Sequence, residues 1–141
     1  MNNDLYSKTL MDHMREPLHR AELSDEDVSA QGRNPLCGDE IRLALTWDGE
    51  RLSELRWDGK ACGVCSASAS LMGDVAAGWT REGLAALAAV VVDWIEGRRK
   101  AAPGPDMAWE LLEGVKGFPM RAKCASLPWT VLGEGVGRGG D

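Results

Sequence analysis

Histidine is scarce in this chain. There are two, His13 and His19, both near the N-terminus. A metal site built here must therefore lean on sulfur and carboxylate. No His-x-Glu segment occurs, which excludes the zinc deaminase pattern. Long apolar runs are missing too. The longest uncharged stretch, Ala61 to Gly73, falls short of the ~18 residues that a membrane span needs. Basic residues are outnumbered, with 16 Lys plus Arg against 22 Asp plus Glu, for a formal net charge of −6. An acidic chain of this size argues against nucleic acid or an anionic membrane as the main partner. The opening Met1-Asn2-Asn3-Asp4 lacks the basic start and apolar core of a secretory signal, so the expected location is cytoplasmic.

What is present fits one domain of 141 residues. Four cysteines become informative in the cytosol, where thiols stay reduced. They are then more often metal-binding, catalytic or buried than disulfide-bonded. Six tryptophans stand against one Phe and one Tyr. Trp brings the most apolar area per residue, so the six are expected to fill the core.

Asp4 to Glu16 reads as a helix. Asp4 caps it, Leu5, Tyr6, Leu10 and Met14 line one face, and Pro17 stops it. Leu18 to Arg33 is polar and acidic and reads as an irregular connection. Ile41, Leu43, Leu45 and Trp47 then alternate with polar or small residues, the pattern of a half-buried strand. Asp48-Gly49 signals a hairpin turn, and Leu52 to Asp58 is the antiparallel partner. From Cys62 onward the pattern is helical. Ser66 to Trp79 forms one helix and Thr80 caps another to Glu96. Asp106 caps a short helix through Glu113, and Pro119 opens the last. Pro128 falls inside that last helix and cannot donate to the Cys124 carbonyl, so a kink or two short pieces are expected. The stretch 133–141 holds five glycines in nine residues and reads as a flexible tail after a 1–132 domain. Strands followed by helices imply an α+β fold, a small antiparallel sheet with helices packed on one face.

The thiols sit on three elements. Asn34-Pro35-Leu36-Cys37-Gly38-Asp39 reads as a tight turn with Cys37 and Asp39 at its tip. Gly59-Lys60-Ala61-Cys62-Gly63-Val64-Cys65 opens a helix, where a thiol pKa is expected to be depressed. Arg121-Ala122-Lys123-Cys124 lies in the last helix. The hairpin brings the first two to one end of the sheet, so Cys37, Asp39 and Cys62 can share a site that Cys124 completes. Three thiolates and a carboxylate form a tetrahedral set suited to zinc, or to iron with sulfide. With a divalent ion the set carries a net charge of about −2, which Lys60, Arg121 and Lys123 are placed to offset. The alternative is that each cysteine is a small buried hydrophobe. Cys62 and Cys65 also make a Cys-x-x-Cys pair. Redox use of that pair would call for a βαβ context, which is missing, so Cys65 reads as helix packing.

These segments, with Leu5-Tyr6, Met11-Asp12-His13, Ser68-Ala69-Ser70 and Arg121 through Trp129, resemble the IscU/SufU/NifU-N family of iron–sulfur cluster assembly proteins. The resemblance runs from Leu5 to Leu132 and implies an IscU/SufE-like sheet of about three strands. Within the family the chain is more similar to the SufU branch. The stretch from Cys62 to Cys124 is long, and Lys123 stands where IscU-type proteins carry histidine. The resemblance implies a zinc-bound sulfurtransferase with Cys37, Asp39, Cys62 and Cys124 as ligands. Cys37 would accept persulfide sulfur from a pyridoxal-phosphate cysteine desulfurase of the SufS type. Arg121 and Lys123 would face partners, and downstream iron–sulfur assembly proteins would receive the product. The alternative is a scaffold, not an enzyme, on which the same four residues hold iron or a [2Fe–2S] cluster. Two positions depart from the family: Cys65 replaces a small residue, and Pro128 replaces Ala or Ser.

Overall fold

The computed structural model describes residues 8–105 and 107–137. The chain runs α1 (Lys8–Arg15), a single 3-10 turn (Asp25–Asp27), β1 (Ala30–Asn34), β2 (Asp39–Asp48), β3 (Arg51–Asp58), α2 (Gly63–Ala76), α3 (Arg81–Ile95), α4 (Met107–Glu113) and α5 (Pro119–Gly137). The three strands form one antiparallel sheet in the order β1-β2-β3, and α2 and α5 pack against it. This is the expected α+β architecture. Asp4, Leu5 and Tyr6 of the expected first helix, and the expected cap Asp106, lie outside the described residues.

The β2–β3 hairpin follows its hydrophobic alternation. Ile41, Leu43, Leu52, Leu55 and Trp57 are buried. Asp48 pairs with Arg51, so the two-residue loop is Gly49-Glu50, one residue later than the Asp48-Gly49 signal. Gly49 takes the left-handed conformation there (φ +62°).

The segment expected to be an irregular connection contains a strand, β1. Only its end residues Ala30 and Asn34 are buried, so it carries no alternation of its own. Pairing with β2 defines it, and α5 lies so close that a Cβ on Gly32 would press on the Val131 side chain. The residues before β1 are also bound to the sheet. Trp57 N–H donates to the His19 carbonyl, Ala21 N–H donates to the Trp57 carbonyl, and Arg42 bonds Asp58, Asp25 and the Leu23 carbonyl. Those contacts cover part of the open edge of β3.

The last helix overturns one of the two outcomes expected at Pro128, two short pieces, and the flexible reading of 133–137. It runs as one element through Pro128. It also continues to Gly137, beyond the Leu132 boundary expected for the domain. Gly135 and Val136 are buried, and Gly135 lies against Ala30 and Leu45, where a larger residue would crowd β1. Helix propensity is poor in this stretch; packing against the sheet carries it.

Four tryptophans fill the core as expected: Trp57, Trp94, Trp109 and Trp129. Trp109 bridges the other two helical ones, edge-on to Trp94 at 6.1 Å and tilted on Trp129 at 5.6 Å. Trp47 and Trp79 depart from the expectation. Trp47 is half-buried beneath the Arg81 guanidinium, and Trp79 is 39% exposed.

Candidate metal centre

The Cys37 turn is built by Asn34. Its Oδ1 accepts the Leu36 N–H at 3.0 Å, and its carbonyl accepts the Gly38 N–H at 2.8 Å. Gly38 closes the turn with φ +78°. Asn34 pairs with Asp39 across the strands, so the turn stands directly on the sheet end. Cys37 is exposed. Asp39, expected at the tip beside it, is instead buried as the first residue of β2.

Cys62 arrives at the same end. Glu40 N–H donates to the Lys60 carbonyl at 2.7 Å, and Cys62 N–H donates to Asp39 Oδ1 at 3.0 Å. Gly59 makes the approach possible: at φ +136°, any Cβ would overlap the Glu40 carbonyl oxygen. Cys62 caps α2, its Sγ accepting the Cys65 N–H at 3.4 Å.

Cys124 comes from α5, which is fixed to its neighbours by buried hydroxyls. Ser68 Oγ donates to the Ala125 carbonyl at 2.6 Å and accepts the Trp129 Nε1–H at 3.0 Å. Ser126 Oγ donates to Glu96 on the loop after α3 at 2.6 Å. The result sets Cys124 Sγ 3.4 Å from Cys37 Sγ. Ligand atoms of Cys37, Asp39 and Cys124 all lie within 4.8 Å of one another. The Cys62 thiol is in hydrogen-bonding reach of Cys124 but is not part of that tight trio. Cys65 is fully buried one turn into α2, as its helix-packing reading predicts.

The electrostatics run against the expected helix-terminus thiolate. Burial pushes the Cys62 thiol up, and the Asp39 carboxylate adds to that, outweighing the help from the Cys65 N–H. Burial and the neighbouring Cys37 and Cys62 thiols also raise Cys124, and burial raises Cys65. One oxygen of the Asp39 carboxylate, Oδ2, is buried with no hydrogen-bond partner. A divalent cation would satisfy that oxygen and favour the thiolate forms beside it. The donors of Cys37, Asp39 and Cys124, with Cys62 next to them, suit a thiophilic metal.

Two of the cations expected to offset the site make contacts beside it. Lys123 Nζ is turned to Glu96 at 3.3 Å, and the Arg121 guanidinium lies over the Phe118 ring at 5.0 Å. Glu96 also takes bonds from Arg98 and Ser126. Burial pushes its carboxyl up, but the bonds from Ser126, Arg98 and Lys123 outweigh that and hold it below the usual carboxylate range. Sequence reasoning did not single out Asn34, Ser68 and Glu96 as builders of this site. Only the Asn-Pro turn and the serines among small residues of α2 hinted at two of them.

A three-stranded sheet carrying this cysteine and aspartate cluster at one end defines a small α+β domain with a candidate metal site. The chain belongs to the family described as NifU-like N terminal domain, which it matches over residues 5–125, and its relatives include iron–sulfur assembly proteins named IscU and SufU. It is 35% identical over 136 residues to the iron–sulfur cluster assembly scaffold protein IscU of Streptococcus pyogenes serotype M1. That match covers 96% of this chain and 85% of the relative. It is 34% identical over 134 residues to the zinc-dependent sulfurtransferase SufU of Bacillus subtilis, covering 95% and 90%. Among solved structures, an iron–sulfur cluster assembly scaffold protein for the SUF system from Fervidobacterium islandicum AW-1 superposes with a TM-score of 0.75 at 25% identity, covering 94% and 96%. The N-terminal part of a NifU-like protein from Brucella abortus shares the fold, with a TM-score of 0.79 at 19% identity and coverage of 96% and 94%.

Proposed function

We propose that this protein is a zinc-holding sulfurtransferase of iron–sulfur cluster assembly, with Cys37 as the sulfur acceptor. The observation that carries the reading is the difference between the clustered thiols. Cys37 rides an exposed turn, whereas Cys62, also exposed, has its Sγ occupied as a helix cap and Cys124 is buried within α5. Cys37, Asp39, Cys62 and Cys124 would hold the zinc. When bound, zinc supplies the positive charge that keeps the thiols deprotonated near neutral pH.

The donor is the persulfide of a pyridoxal-phosphate cysteine desulfurase of the SufS type. The Cys37 thiolate attacks the outer sulfur of that persulfide. A new S–S bond forms on Cys37, and the desulfurase thiolate leaves with the bonding pair, so no external electron is needed. Arg121 and Lys123 lie on the α5 turns that carry Cys124 and belong to the partner-facing surface. Downstream iron–sulfur assembly proteins take the product in the cytoplasm. One feature favours sulfur transfer over a scaffold role: Lys123 is paired with Glu96 and offers no fifth donor at the site.

The test follows alanine release from L-cysteine by a cysteine desulfurase of the same organism. Zinc-loaded protein should stimulate turnover saturably, and Cys37→Ala should abolish the stimulation while keeping the fold. Full stimulation by Cys37→Ala sinks the assignment. No stimulation, together with a visible absorbance band after reconstitution and transfer to an apo-acceptor, supports the scaffold reading, with the [2Fe–2S] cluster as cargo.

A further inference from the structure

Cys124 has an unusual address for a thiol. It is 6% exposed, beyond the reach of an external protein. Its sulfur lies 3.4 Å from Cys37 Sγ, reached across 87 residues of sequence. That separation lies in the range of about 3–3.5 Å at which oriented groups react. Cys62 is worse placed to react, because its Sγ is held by the Cys65 N–H and its own N–H by Asp39. The Cys37 turn, in contrast, has room to move. A Cβ on Gly38 would meet nothing within 4 Å. Closing the pair to a disulfide requires a contraction of about 1.4 Å.

We propose that in the zinc-free protein Cys124 resolves a persulfide carried on Cys37, so that the protein releases its sulfur as sulfide and retains a Cys37–Cys124 disulfide. The inference rests on the reading of Cys37 as the sulfur acceptor. A persulfide has two sulfurs open to attack. Attack on the outer one merely moves the extra sulfur from Cys37 to Cys124. Attack on the inner one expels hydrosulfide. The inner sulfur is Cys37 Sγ, the atom that Cys124 contacts. The Cys124 sulfur forms the new bond to Cys37 Sγ, its thiol proton passes to the departing sulfur, and the bond to that outer sulfur breaks. That sulfur leaves as HS⁻ with the bonding pair. The extra sulfur is reduced and the two cysteine sulfurs are oxidised, so the step balances without another reagent. Hydrosulfide is a weaker base than an alkyl thiolate and so the better leaving group. A dithiol reductant, itself oxidised to a disulfide, returns Cys37 and Cys124 to thiols for the next round.

The experiment charges the full chain with a cysteine desulfurase and limiting L-cysteine, removes both, and holds the protein with chelator and without added thiol. Sulfide is assayed over time, and cross-links are mapped by non-reducing peptide mass spectrometry. Sulfide and a Cys37–Cys124 cross-link should appear at one rate and in equal amounts. In Cys124→Ser the extra sulfur should stay on Cys37, with sulfide release slowed about tenfold or more. Cys65→Ala should behave as the parent. Release without a cross-link, a Cys37–Cys62 cross-link, or an unchanged rate in Cys124→Ser overturns the inference. A charged Cys37 that yields no sulfide overturns it alone, whereas a Cys37 that never takes up sulfur overturns the sulfurtransferase reading with it. If Cys124→Ser does not fold, the cross-link map of the parent chain decides.

Discussion

Asp39 and Cys62 are joined by a single hydrogen bond that divides the carboxylate in two. Oδ1 accepts the Cys62 N–H at 3.0 Å, and Oδ2 is buried with no partner. One oxygen thus fastens the helix carrying Cys62 to the strand beneath Cys37, and the other faces the thiols uncommitted.

That division predicts opposite effects of Asp39→Asn in two states. The amide keeps the acceptor for Cys62 but removes the charge. Zinc affinity should fall about tenfold to a hundredfold, read by competition with a chromophoric chelator. The thermal midpoint of chelator-treated protein should rise, because an uncompensated buried oxygen costs about 1–3 kcal/mol. A fall in that midpoint as well would mean that the carboxylate serves only to tie the two loops.

Gly59→Ala should disturb the site without touching a donor. The new Cβ meets the Glu40 carbonyl, and the backbone sits at φ +136°. A loss of about 2–4 kcal/mol is expected in urea unfolding, with weaker zinc binding as the Cys62 segment shifts. Stability within about 0.5 kcal/mol of the parent would show that the hairpin end yields easily.

Ser68→Ala should loosen α5. It removes the donor to the Ala125 carbonyl and leaves the Trp129 indole N–H buried and unbonded. The expected cost is about 1–3 kcal/mol in chemical denaturation. Ser68→Thr should recover part of it if the hydroxyl, rather than side-chain volume, is responsible.

Acid stability should depend on Glu96. Its folded pKa lies below the ordinary carboxylate value. The stability it contributes is therefore complete above the unfolded pKa of about 4.3 and is lost as pH falls through the lower folded value. Glu96→Gln should flatten the acid limb of a plot of unfolding free energy against pH. An acid limb identical to the parent's would place the titrating group elsewhere, with Asp58, also held low through Arg42, the next to test.

Much of the architecture was legible from local pattern. Alternation marked β2 and β3, Thr80 marked the start of α3, and Pro119 marked the start of α5. The arrival of the Cys62 segment beside Asp39 also followed, because a hairpin places its outer ends side by side. β1 and the last turns of α5 were not legible. Ala-Gln-Gly-Arg-Asn and Gly-Glu-Gly-Val-Gly carry no periodicity, and each is ordered by the other's surface at the Gly135–Ala30 contact. The raised Cys62 thiol escaped for a related reason. A helix terminus is visible in sequence, but the burial and the Asp39 charge that overcome it are not.

The sequence by itself determined the candidate donors. Histidine is too scarce to supply them, and three cysteines with one aspartate sit in turn, cap and helix contexts recognisable from their neighbours. Tertiary structure alone decided how those donors differ. Packing of α5 through Ser68 and Ser126 brings Cys124 to 3.4 Å from Cys37, and strand pairing buries Asp39 while Cys37 stays exposed. Residue type sets what a side chain can bind. Burial and distance, which depend on the whole chain, set which sulfur can meet a partner and which can only meet another sulfur of its own chain.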